Sequence, residues 1–279
     1  MLRSHRALRR ALIALLLAAA ATATRATAQT RDPSLWHTDG IVYAMQRSGS
    51  TLYLGGTFTH LLPHTGTAAV LDAAGGAQKP FPRIKGTVYA TAPDGSGGWY
   101  VGGEYMEVEG APYPGLIHVL ASGALDPAVQ LPAGAVYSLL ASGTTLYVGG
   151  FFDEMGGATR HNLAALDLTS GLATSWDPSP DGAIKCMALS GSTLYVGGFF
   201  ANIAGVPRVN AAALNTATGS ATAWAPAPDA ELRAIAVNGA TIYLGGSFTH
   251  LGLSARNYIG AVDATSGSVA PWTSEANSA

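Results

Sequence analysis

The sequence predicts an all-β fold, a β-propeller of about five four-stranded antiparallel blades. A motif Tyr-(Leu/Val)-Gly-Gly returns five times, beginning at Tyr53, Tyr100, Tyr147, Tyr195 and Tyr243, at intervals of 47, 47, 48 and 48 residues. Each interval holds short apolar runs separated by glycine turns, with no sustained helical period, so the repeated unit is a sheet. Composition agrees, since 35 of 279 residues are glycine and only 11% are charged, against usual shares of about 7% and about 25%. Such a chain is neither disordered nor, without a G-X-Y period, collagen-like. One small sheet cannot cover both of its own faces. Copies arranged radially cover them for one another.

Taken in chain order, residues 1–28 read as an export leader. Arg3, Arg6, Arg9 and Arg10 precede an apolar run at 11–21, and Ala26-Thr27-Ala28 supplies a small-x-small cleavage site. The run falls short of the roughly 20 residues of a spanning helix, so no stable membrane anchor is expected. Cleavage would remove five arginines and no acid, leaving 10 basic against 17 acidic residues, a net of −7. A surface of that sign repels polyphosphates and excludes nucleic acid as a partner. The chain is expected to act outside the cytoplasm, in the periplasm, at the cell surface or secreted. Residues 29–40 form an N-terminal segment in which 32–36 resemble a strand able to pair with a blade at ring closure. Residues 41–272 are the five-repeat propeller, and 273–279 a tail. Cys186 is the only cysteine, so no internal disulfide exists and a buried, inert thiol is expected.

Copy three illustrates the unit. Residues 136–141 form an inner strand, Thr145–Phe152 a second interrupted by the glycine pair, and 163–168 a third. A fourth is expected to end at Trp176-Asp177-Pro178. The glycine pair allows close backbone approach, or a bulge within the second strand. Asp167, Asn215 and Asp263 each open a tight turn ending in glycine, where a short polar side chain can bond the turn's own backbone. Trp176, Trp224 and Trp272 each stand nine residues after that Asp or Asn, as expected of an aromatic docked on a neighbouring blade. Copy two lacks this Trp. Arg160, Arg208 and Arg256 recur at one position and are expected to bond loop carbonyls or a carboxylate.

Leu146-Tyr147-Val148-Gly149-Gly150-Phe151-Phe152, residues 194–200 and the segment Gly123-Ala124-Leu125-Asp126-Pro127 resemble the delta-60 type of β-propeller repeat of bacterial exported proteins. That resemblance covers nearly the whole chain beyond the leader and implies a propeller fold with no agreed activity. Related repeats also resemble the extracellular propeller of fungal cortical marker proteins, which implies a surface or adhesion role. The turn from Ala165 to Gly171, followed by Trp176, is similar to the tryptophan-docking motif of quinoprotein dehydrogenases. Those enzymes hold pyrroloquinoline quinone on an eight-bladed propeller, often over a disulfide of adjacent cysteines. Five copies and a single cysteine depart from that pattern, so the motif speaks for the fold and no cofactor is expected.

A feature present in every copy is architecture, while a break in the repeat marks function. The segments after each glycine pair vary and should open on one face of the ring. There His60 and His250 would meet on closure, and Glu104 and Glu107 would lie one blade from Asp153 and Glu154. Oxygen ligands of this kind suit a weak calcium site, and the same residues also suit a solvated polar rim. Position two of the innermost strand reads Tyr43, Tyr89, Tyr137, Lys185 and Arg233, each followed by a small residue. These side chains either pack between blades or offer aromatic rings beside cations to a carbohydrate or other polar ligand. No Gly-x-Ser-x-Gly elbow, His-Glu-x-x-His or phosphate-cradling loop is present. The expected function is an exported, non-enzymatic binding or scaffold module for a protein or glycan, present as a five-bladed monomer. Two alternatives stand beside it. One is a propeller hydrolase or lyase acting on extracellular polysaccharide, with Glu107 and Glu154 as its carboxylates. The other, for the ring, is a shortened member of a larger propeller completed by self-association.

Overall fold

A computed structural model describes residues 38, 40–48, 51–59, 68–72, 79–113, 115–127 and 134–271. The leader, His60, Trp272 and the tail lie outside the described residues, as does nearly all of the 29–40 segment. Five three-stranded antiparallel sheets follow one another along the chain, each ordered inner, middle, outer. Sheet one is Val42–Ser48, Thr51–Gly56 and Ala68–Asp72; sheet two is Ile84–Pro93, Trp99–Val108 and Leu116–Val119. Sheet three is Gly134–Ser142, Thr145–Phe152 and Leu163–Asp167; sheet four is Ala183–Ser190, Thr193–Phe199 and Ala211–Asn215. Sheet five is Leu232–Asn238, Thr241–Gly246 and Ile259–Asp263. Inner strands of consecutive sheets pack side by side from the first to the fifth.

Four-stranded blades were expected, and the fourth strand is instead reduced to single bridges. Leu166 pairs with Ala173, Leu214 with Ala221 and Val262 with Val269, and no ladder follows. The chain beyond carries Pro178 and Pro180 in one copy and Pro226 and Pro228 in the next. Proline has no N–H to donate, so a ladder cannot continue through those positions. The copies also carry small hairpins that the repeat period does not announce, such as Glu154–Met155 with Ala158–Thr159.

The glycine pair has two separate jobs. A Cβ on the first glycine would strike the next sheet's inner strand, 2.5 Å from Val136 at Gly102 and 2.7 Å from Ile184 at Gly149. A Cβ on the second would strike its own sheet, 2.1 Å from the Ala135 carbonyl oxygen at Gly150. The anticipated bulge is real but lies in the facing inner strand, not in the glycine strand. In all five sheets the inner strand slips by one residue directly opposite the pair.

Sheets are further joined by hydrogen bonds that reach across the junctions. Trp176 Nε1 donates to the Asn215 carbonyl of the next sheet at 3.1 Å, and Trp224 Nε1 to that of Asp263 at 3.0 Å. Their rings meet Tyr147 and Tyr195 edge-on at 5.3 and 5.1 Å. The recurrent arginines bond loop carbonyls as expected, Arg160 to Thr159 and Thr174, Arg208 to Pro207 and Thr222. The turn carboxylate of Asp167 accepts from the Thr169 and Ser170 amides, and Gly171 takes φ 69°, a region where a Cβ is disfavoured. Cys186 is buried, and burial pushes its thiol pKa upward, which keeps it protonated and unreactive.

Tyr100 gives this architecture a pH signature. Its hydroxyl donates to the Leu168 carbonyl of the next sheet at 3.4 Å, and burial, with Asp126, Asp94 and Asp167 nearby, pushes it up to about 12. An unfolded tyrosine titrates near about 10. The folded state therefore favours the neutral phenol. That contribution is full below about pH 10 and is lost as pH rises through about 12. Melting temperature is expected to hold to about pH 10 and fall beyond it, with a shallower fall in Tyr100→Phe. Parallel curves for the two proteins would refute the assignment.

Candidate functional site

The bulges decide where the variable side chains go. The extra residue of each is Tyr43, Tyr89, Tyr137, Lys185 or Arg233, and a bulge re-aims the side chain it carries. Because the inner strands run side by side, the re-aimed groups form a row. Tyr43 and Tyr89 lie 5.7 Å apart between ring centroids, Tyr89 and Tyr137 5.3 Å apart, and Lys185 Nζ sits 3.3 Å over the Tyr137 ring. A cation so placed over a half-buried ring contributes about 1 kcal/mol. Arg233 turns aside to Glu231, with Nε 2.7 Å from its carboxylate.

The row is only partly covered. Tyr43 is half exposed, and Tyr89, Tyr137 and Lys185 are partly buried. Burial raises the pKa of Tyr89 and Tyr137, and the Glu104 carboxylate adds to the effect, so both phenols remain donors at neutral pH. Burial lowers Lys185, opposed by Glu231 and Glu104. Sequence reasoning named the row but missed Glu231. Glu231 stands just before the inner strand of sheet five, which begins at Leu232, so strand periodicity does not announce it.

The remaining expected site residues are dispersed. Glu104 and Glu107 lie in the long middle strand of sheet two, because copy two lengthens both strands of that hairpin. Glu107 pairs with Lys85 at 2.9 Å, and Asp153 with His161 at 3.0 Å. Glu154 opens a two-residue hairpin strand. His250 lies 3.2 Å from Asp229, whose carboxylate also accepts from the Thr249 and His250 amides. Burial works against that carboxylate, yet these hydrogen bonds outweigh it and hold Asp229 well below the usual range. Among the described residues no group of three or more His, Cys, Asp or Glu side chains is arranged to hold a metal ion.

A buried polar cluster escaped the sequence reading. His118 on the outer strand of sheet two faces Asp126 through Nδ1 at 2.9 Å and Asp94 through Nε2 at 3.1 Å, stacked on Tyr100 with ring centroids 4.3 Å apart. Asp94 also accepts from the Ser96 and Gly98 amides. Burial opposes its charge, and the hydrogen bonds prevail to keep its pKa low. The cluster pins the 94–98 turn and the 124–126 segment to the sheet. It lies in copy two, which lacks the docking tryptophan, and ties together parts of sheet two alone.

Fold and row together define an all-β repeat protein with propeller-like architecture. The chain is similar to the solved nidogen/laminin complex, with a TM-score of 0.51 and 11% identity over 82% of this chain and 78% of that one. Lower similarity links it to BamB from Moraxella catarrhalis, at TM-score 0.47 and 16% identity, where 82% of this chain spans 61% of the other. The computationally designed Ika8 protein gives 0.42 and 13% over 87% and 89%. No family model and no curated protein matches the sequence.

Proposed function

We propose that this chain is an exported, non-enzymatic propeller of the delta-60 repeat type that binds a neutral glycan along the Tyr43–Tyr89–Tyr137–Lys185 row. The observation that carries the reading is the row itself. Repetition makes its backbone common to all five sheets, while its side chain is Tyr in the first three copies and Lys or Arg in the last two. Consecutive tyrosines offer ring faces for sugar rings, and phenol, ammonium and carboxylate groups beside them suit hydroxyls. The net charge of −7 expected after leader cleavage disfavours polyanionic chains and points to a neutral one. Export rests on the N-terminal leader pattern.

Cellohexaose and chitohexaose are suitable probes, titrated against intrinsic fluorescence. Saturable binding is expected, weakened about tenfold or more in Tyr137→Ala, which removes one stacking face and the seat of Lys185. Circular dichroism would confirm that the variant folds. Affinity unchanged in both Tyr137→Ala and Tyr89→Ala would mean that the row is packing alone.

A further inference from the structure

We propose that the exposed face of sheet one docks on the glycine face of sheet five in a second copy of this chain, head to tail. Four junctions within the chain show what such an interface is made of. The residue preceding each inner-strand bulge, Val88, Val136, Ile184 or Leu232, lies on the first glycine of the preceding sheet, and all four are completely buried. The fifth junction is present only as two separate halves. Val42 holds the corresponding position in sheet one and is 39% exposed, flanked by Ile41 at 60% and Met45 at 68%. Leu139 and Met187, the counterparts of Met45, pack into the core. At Gly245 a Cβ would meet only Ala234 and Tyr258 of its own sheet, and no described residue of another sheet lies within 4 Å.

The repeat thus names the occupant of each half. Val42 fits a Tyr-Leu-Gly-Gly strand, and Gly245 accepts a branched inner-strand side chain. Among the described residues both halves stand uncovered, so a second copy supplies the complement of each. A further observation fits a junction that needs no chain connection. Asn162 and Asn210 donate through Nδ2 to the Pro180 and Pro228 carbonyls, tying each sheet to the connector entering the next. Tyr258 occupies this position in sheet five, at φ 64°, and has no amide for such a tie. The contact is heterologous, so two copies close a ring or many form an open chain.

Light scattering on the full chain, with two face variants, tests the proposal. Val42→Glu spoils one face, and Gly245→Glu spoils the other. Neither replaces a buried side chain, and a Cβ at Gly245 meets only ordinary contacts of 3.5 and 3.9 Å. The unaltered chain is expected at twice the monomer mass or a higher multiple, and each variant alone as a monomer. Mixed one to one, the variants are expected to pair, because each keeps the face the other lacks. A monomeric unaltered chain would overturn the proposal, and a lower melting temperature in Val42→Glu would then place the contact within one chain. Assembly that survives both substitutions would overturn it as well.

Discussion

Trp224→Ala is expected to cost about 3–5 kcal/mol of stability, the usual range for deleting a large buried aromatic. Trp224 is 1% exposed and packs among Tyr195, Ile242, Leu244 and Val262. Those residues belong to sheets four and five, so the ring fills the junction rather than either sheet alone. Truncation removes its hydrogen bond to the Asp263 carbonyl and leaves a cavity between two repeats. That carbonyl keeps a second partner in the Gly267 amide, so the packing loss should dominate. Trp224→Phe separates the two contributions, retaining most of the volume while losing the N–H, and should cost nearer about 1 kcal/mol. Urea unfolding measures both. Equal losses in the two variants would show that the hydrogen bond, not the burial, holds the junction.

A single methyl group at Gly198 should be nearly as damaging. Its Cβ would lie 2.0 Å from the Ala183 carbonyl oxygen and 3.0 Å from the Ile184 Cα. Both obstacles are backbone, and they belong to the strand segment that forms the bulge, so no rotamer change relieves the clash. Gly198→Ala is expected to cost more than about 3 kcal/mol, beyond ordinary overpacking, and to displace Lys185 from Tyr137. Gly191 is the control. It has φ 56°, and a Cβ there would meet nothing within 4 Å, so Gly191→Ala faces only the backbone preference, about 1–2 kcal/mol. Denaturant midpoints for the pair would decide the matter. Similar losses at both sites would refute the steric account.

Much of this molecule is legible because it is repeated. A five-fold Tyr-(Leu/Val)-Gly-Gly at a nearly constant interval leaves little freedom in the number and order of the repeated sheets, and the turn residues Asp167, Asn215 and Asp263 sit where their side chains bond the turn. Trp176 and Trp224 announced their junctions correctly. The fourth strand was over-read, because hydrophobic pattern continues through Trp176 whereas pairing with the outer strand ends at Thr174, ahead of the prolines. His118 with Asp94 and Asp126 was invisible, since its members lie 24 and 8 residues apart and only the folded sheet brings them together.

The candidate site divides along the same line. Periodicity alone determined that the protein is a repeat of small antiparallel sheets, and that Tyr43, Tyr89, Tyr137, Lys185 and Arg233 are equivalent. Repetition copies local geometry, and local geometry is written in local sequence. Tertiary structure decided that four of the five side chains form one row while Arg233 turns to Glu231, and that the faces around Val42 and Gly245 stand open. Those outcomes depend on which surface of one repeat meets which surface of another, and no single repeat contains that information.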